Sequence, residues 1–97
     1  MKTLTLNLKA EWYDMIEAGI KTEEYREIKP YWITRICENG DPSRQPIQFD
    51  IVNFVYGYTS RSMSFSVESV GMGKGRPEWG APDDKIVFII KLKKRIR

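Results

Sequence analysis

Lys21, Glu24 and Arg26 fall within six positions of a 97-residue chain. A lysine, a carboxylate and a guanidinium at that spacing can bind phosphate, polarise a carbonyl oxygen or exchange a proton. If all three line one cleft they titrate as a coupled set. The simpler arrangement is an ion pair in which Glu24 neutralises Lys21 or Arg26. A lysine acting as base or nucleophile must lose its proton near neutral pH, which needs burial or neighbouring positive charge. Residues 11–28 hold six acids against two bases, so the ammonium form is expected, suited to phosphate or carbonyl oxygen. A second group lies in Gly73-Lys74-Gly75-Arg76-Pro77-Glu78-Trp79-Gly80-Ala81-Pro82. There Lys74 and Arg76 bring positive charge, Glu78 a second carboxylate, and Trp79 a flat face on which an unpaired base can stack. Trp79 fits equally as an apolar plug in the open end of a barrel. Gly73-Lys74-Gly75 is not a P-loop, which needs four residues between its first glycine and Gly-Lys, then Ser or Thr and a helix.

The absent residue types bound the chemistry further. Histidine is missing and Cys37 is the single cysteine, which excludes an intramolecular disulfide, a Cys/His zinc site and a histidine-based triad. Lysine, arginine, carboxylate, tyrosine and hydroxyl remain; no cofactor and no metal site is expected, and any metal would be held by oxygen alone.

These residues must be positioned by a small set of elements. Leu4, Leu6 and Leu8 alternate with polar residues, the period-2 pattern of a half-buried opening strand. From Ala10 to Ala18 the apolar spacing becomes three and four, as in an amphipathic helix, and Gly19 fits the position just past its end. Lys21–Ile28 reads as a short, unusually charged strand, and Pro30–Ile36 as a helical turn carrying Tyr31 and Trp32, with Trp32 assigned to the core. Glu38–Ser43 is dense in turn residues. Ile47–Tyr58 and Met63–Val70 are strand-like and joined by a hairpin connection at Thr59–Ser62. Between Ile51 and Phe54 the apolar residues shift from odd to even positions, which suggests a bulge or a bend, as where a sheet curls into a barrel. Gly71–Pro82 holds four of the seven glycines, and Ile86–Leu92 is an apolar run fit for a central strand. About five strands and one main N-terminal helix give a single α+β domain over residues 1–97, a small curled or closed sheet with the helix over one opening; an open sandwich is the alternative. With 41% hydrophobic and 12% aromatic residues the chain can build a core without disulfides or metals.

The Gly19-x-Lys21-x-x-Glu24-x-Arg26 spacing, after an opening Leu-x-Leu-x-Leu strand and an amphipathic helix, resembles the ASCH family of the PUA-like superfamily. All four positions of that motif are filled, and the later hairpin, glycine-rich loop and last strand extend the resemblance over nearly the whole chain. It implies a PUA-like β-barrel with a cleft between barrel and helix that binds RNA or nucleotides. In such a cleft Lys21, Arg26, Lys74, Arg76 and Trp79 would meet the ligand. Some proteins of this kind are amidohydrolases on acetylated cytidine and others cleave RNA, which would make Lys21, Glu24 and Glu78 the catalytic set. The amidohydrolase branch has threonine three positions after the lysine, where this chain has Glu24.

Net charge is +3, but Lys91, Lys93, Lys94, Arg95 and Arg97 concentrate it at the C-terminus, and residues 1–90 carry 11 positive and 13 negative charges. The C-terminal strand therefore reads either as a track for a phosphate backbone or as a solvated edge that resists sheet-to-sheet pairing. Glu24 and Glu78 would repel a long polyanion, which favours recognition of one nucleoside or base over tracking of extended RNA. The single thiol and the absence of a leader-like or membrane-spanning apolar run suggest a cytoplasmic protein without a membrane partner. A protein-interaction domain using the charged last strand is the third class.

Overall fold

The alternating Thr and Leu of the first segment form strand β1 (Thr3–Leu8), whose leucines all face inward. In the computed structural model, which describes residues 1–97, it is followed by α1 (Ala10–Glu17), β2 (Glu23–Glu27), α2 (Pro30–Ile36), β3 (Ile51–Tyr56), β4 (Ser62–Gly73) and β5 (Val87–Arg95). The five strands make one curled half-barrel sheet in the order β1-β3-β4-β5-β2. β1 runs parallel to β3, and the other neighbours are antiparallel. The chain is thus α+β as expected. The opening strand and the main helix after it fall where the spacing placed them, and one feature differs from the sequence reading: α2, expected as a helical turn, is a helix of nearly the same length as α1.

Leu4, Leu6 and Leu8 of β1, Tyr13 and Ile16 of α1, Ile36 of α2, and Val52, Phe54, Met63, Phe65, Phe88 and Ile90 of the central strands pack into one cluster. Burying such side chains contributes roughly 1.5–3 kcal/mol each. Cys37 belongs to this cluster, and burial, with Asp41 nearby, raises its thiol pKa. The alternate residues Val87 and Ile89 face the other side of the sheet, where Tyr25, Ala81 and Trp79 cover them.

The expected bulge in β3 is not there. β3 begins only at Ile51 and buries Val52 and Phe54 in unbroken alternation; of the odd-position residues, Phe49 lies outside the strand and Ile51 is half-buried on its other face. The irregularity falls instead in β4 opposite β5, at Ser66/Val67 and Val67/Ser69. Gly71 and Gly73, read as loop, are ladder residues at the end of β4. β5 lies between β4 and β2, the central place its apolar run predicts; its basic residues gather beyond Lys91, where β2 has ended and that side of the strand is open.

Candidate functional site

Helix α1 ends in a Schellman motif: Gly19 takes φ 78°, its amide donates to Ile16 O (3.0 Å) and the Ile20 amide to Met15 O (2.9 Å). The Lys21 amide also donates to Met15 O, so the helix end itself delivers Lys21 to the start of β2. Register then sets the next two residues. Glu24 lies opposite Ile90 and Arg26 opposite Phe88, both core residues, so these two charged side chains point into the curl of the sheet.

The result is a buried chain of charge. The Lys21 ammonium donates to Glu24 Oε1 (2.8 Å) and to the carbonyl of Trp79 (2.5 Å), and it lies over the rings of Trp12 and Tyr25 at 5.0 and 4.9 Å. The other carboxylate oxygen of Glu24 accepts from Arg26 Nη1. Arg26 also donates to its neighbour's carbonyl, Tyr25 O, and from Nη2 to Asn7 O (2.9 Å), and its guanidinium lies over Trp32 at 5.1 Å. Asn7 is on β1 and Arg26 on β2, the two free edges of the sheet. One side chain therefore bridges the seam that a ladder of backbone hydrogen bonds would close in a full barrel. No buried side-chain nitrogen or oxygen is left without a partner.

The loop after β4 is pinned to this cluster from the outer side. A Cβ on Gly75 would lie 2.6 Å from Tyr25 Cε1 and 2.7 Å from Ala81 Cβ, so only glycine lets the backbone pass. Gly80, at φ 99°, presses on the indole of Trp12. The Tyr25 hydroxyl accepts from the Arg76 amide (3.0 Å) and donates to Glu23 Oε1 (2.8 Å). Burial, with Glu23 adding to it and the Arg76 amide opposing it, pushes the Tyr25 phenol up to about 12. The stability this confers is complete below pH 10, where the unfolded phenol is also neutral, and is lost as pH rises through 12. After allowing for solvent at the hydroxyl, wild type should lose about 1–2 kcal/mol relative to Tyr25→Phe between pH 9 and pH 12. Urea unfolding midpoints of the two proteins across that range measure it.

A cleft of about 660 Å³ opens where the sheet edges approach each other. Its wall comprises the end of β1 (Asn7 and Leu8), Trp12, Trp32 and the Gly80–Pro82 segment, with Glu24 and Arg26 among them. Lys9, Lys85 and Glu27 are charged and exposed at its rim. Two of the three motif charges thus reach the cleft, and the third does not line it. The Lys21 side chain is only 1% exposed and sits behind Glu24. Of the second group, Lys74, Arg76, Glu78 and Trp79 lie outside the cleft wall. Arg76 and Glu78 are more than half exposed and face each other at 3.9 Å, while Arg76 stacks on Trp79 at 4.7 Å. The physical reason is the tether at Tyr25: it turns the loop so that Gly80, Ala81 and Pro82 enter the cleft and residues 74, 76 and 78 face solvent. Glu78 is consequently not brought to Lys21 and Glu24.

Trp12 and Trp32 are the aromatic faces that sequence reasoning missed, since helical spacing assigned the first to a packing face and Trp32 was read as core. Both are half-buried. The available signal was their position in the first turn of each helix, where a side chain reaches the rim of the sheet. No three acidic or cysteine side chains gather in a metal-binding group, and no helix is long and apolar enough to cross a membrane. No family model, curated protein or solved structure matches the chain.

Proposed function

We propose that the cleft binds one base of an RNA or a nucleotide, the function implied by the resemblance to the PUA-like ASCH family. The observation that carries this reading is a fixed Glu24–Arg26 pair set between two tryptophans in a cleft open to solvent. Indole faces stack on any base. A carboxylate held in place accepts from an exocyclic amine, and a guanidinium donates to a carbonyl or ring nitrogen, so the pair supplies discrimination that stacking lacks. Lys21 contributes by position: its charge fixes one oxygen of Glu24 while Arg26 holds the other, which sets the carboxylate in the cleft wall. Binding is favoured over amide or RNA hydrolysis because the Lys21 ammonium is sealed behind Glu24 and Glu78 lies elsewhere.

The test is calorimetric titration of the four ribonucleosides and of short single-stranded RNAs into wild type, Trp12→Leu, Trp32→Leu and Trp79→Leu. Leucine keeps apolar bulk and removes the flat face. Substitution at Trp12 or Trp32 should weaken binding about tenfold, within the ~1–3 kcal/mol of a stacked base, and Trp79→Leu should bind as wild type. Absence of binding by folded wild type, or equal affinity in the Trp12 and Trp32 variants, would overturn the reading.

A further inference from the structure

A second cleft, about 490 Å³, adjoins the first and shares Asn7, Arg26 and Trp32 with it. Its charge is of one sign. Arg26, Lys29 and Arg35 line it, and no carboxylate does, whereas the first cleft carries Glu24 and Glu27. Neither Lys29 nor Arg35 takes part in any ion pair of the molecule. Arg35 is nevertheless held in place: its guanidinium lies on the Tyr31 ring at 3.5 Å and Nη1 donates to Tyr31 O (2.9 Å). Arg26 commits both Nη1 hydrogens and one Nη2 hydrogen within the protein, which leaves its Nε–H and the other Nη2–H free to donate. Because no buried side-chain nitrogen lacks a partner, the unbonded Nε is open to solvent.

Three cations with spare donors, converging on a recess without acid, form an anion site, and guanidinium groups match phosphate oxygens in geometry as well as charge. The recess continues the proposed base cleft through Arg26 and Trp32, so a base in the first cleft would carry its ribose past Arg26 and its phosphate into the second. We infer that Arg26, Lys29 and Arg35 form a phosphate subsite, and that the ligand is a nucleotide or an RNA nucleotide unit and not a free nucleoside. This inference rests on the base-binding reading above.

Calorimetry at low salt with the four ribonucleosides, their 5′- and 3′-monophosphates and the matching dinucleotides tests it, using wild type and the double variant Lys29→Gln, Arg35→Gln. Both positions are exposed, so the variant should fold. A monophosphate or dinucleotide should bind wild type about tenfold tighter than its nucleoside, equivalent to about 1.4 kcal/mol. The double variant should lose that gain and bind nucleosides unchanged. A gain confined to dinucleotides assigns the subsite to a bridging phosphate of RNA; a gain already full with one monophosphate assigns it to a terminal phosphate. Nucleoside binding without any phosphate gain, or a gain that survives in the double variant, overturns the subsite and leaves the base cleft standing. If no nucleoside or nucleotide binds, both fall.

Discussion

Glu24→Ala lowers the unfolding free energy by about 3–5 kcal/mol, the cost of leaving a buried charge without its partner. Glu24 is 3% exposed and neutralises two cations, so its removal strands the Lys21 ammonium against the Trp79 carbonyl and two aromatic faces, with no other carboxylate in contact. Arg26 suffers less, because its side chain keeps 15% exposure and two carbonyl acceptors. The asymmetry makes the result diagnostic. Adding Lys21→Met to Glu24→Ala removes the stranded charge and should recover a large part of the loss, as replacement of buried ion pairs by apolar groups generally does. Urea unfolding of the two single variants, the double variant and wild type gives the coupling. A Glu24→Ala protein within 1 kcal/mol of wild type would show that the charge chain is solvated and not structural.

Gly75→Ala should cost about 3 kcal/mol, the upper part of the range for overpacking. The added methyl overlaps the Tyr25 ring and the Ala81 Cβ at once. Neither can withdraw: the ring is tied at its hydroxyl to Glu23 and Arg76, and alanine has no rotamer to change. The loop must lift, breaking the Arg76–Tyr25 bond and shifting Gly80–Pro82 out of the cleft wall. Stability and ligand affinity should therefore fall together, the latter without change to any side chain that lines the cleft. Gly71→Ala is the control, since nothing lies within 4 Å of a Cβ built there. A loss at Gly75 no larger than at Gly71 would mean that the loop is not packed as described.

Elements with a strong period were legible in the sequence. The Leu-x-Leu-x-Leu strand, helix α1, its glycine stop and the range of α2 all follow from local spacing or local backbone demands. Orders set by long-range pairing were not. The run of basic residues at the C-terminus read as a solvated edge, and it is one on one side only: β2 pairs with β5 as far as Lys91, whereas β4 pairs with it on the other side out to Arg95, a partner no local pattern announced. For the site, the motif spacing correctly put Glu24 and Arg26 on one face of a strand. It gave no warning that Lys21 would be buried, since burial there depends on a carbonyl 58 residues away in the chain. Trp79 was open to two readings, stacking platform or apolar plug, because both choices depend on the tertiary setting: it packs against the Tyr25, Ala81 and Val87 cluster, and Arg76 lies over its ring.

The parallel pairing of β1 with β3 has a kinetic meaning. The strands between β3 and β5 follow one another as an antiparallel meander, so their hydrogen bonds close short loops. β1 gains its only strand partner across α1, β2 and α2, with Thr3 opposite Ile51. Loop closure of that length is entropically unfavourable and slow relative to hairpin formation. The meander is then the natural folding nucleus, with β1 and β2 docking later on its two flanks. Arg26, which joins those two flanks, can make its bond to Asn7 only when both have arrived. On that order of docking the cleft between β1 and β2 forms last and is lost first when an edge strand detaches, so the Arg26–Asn7 bond reports the fully assembled state.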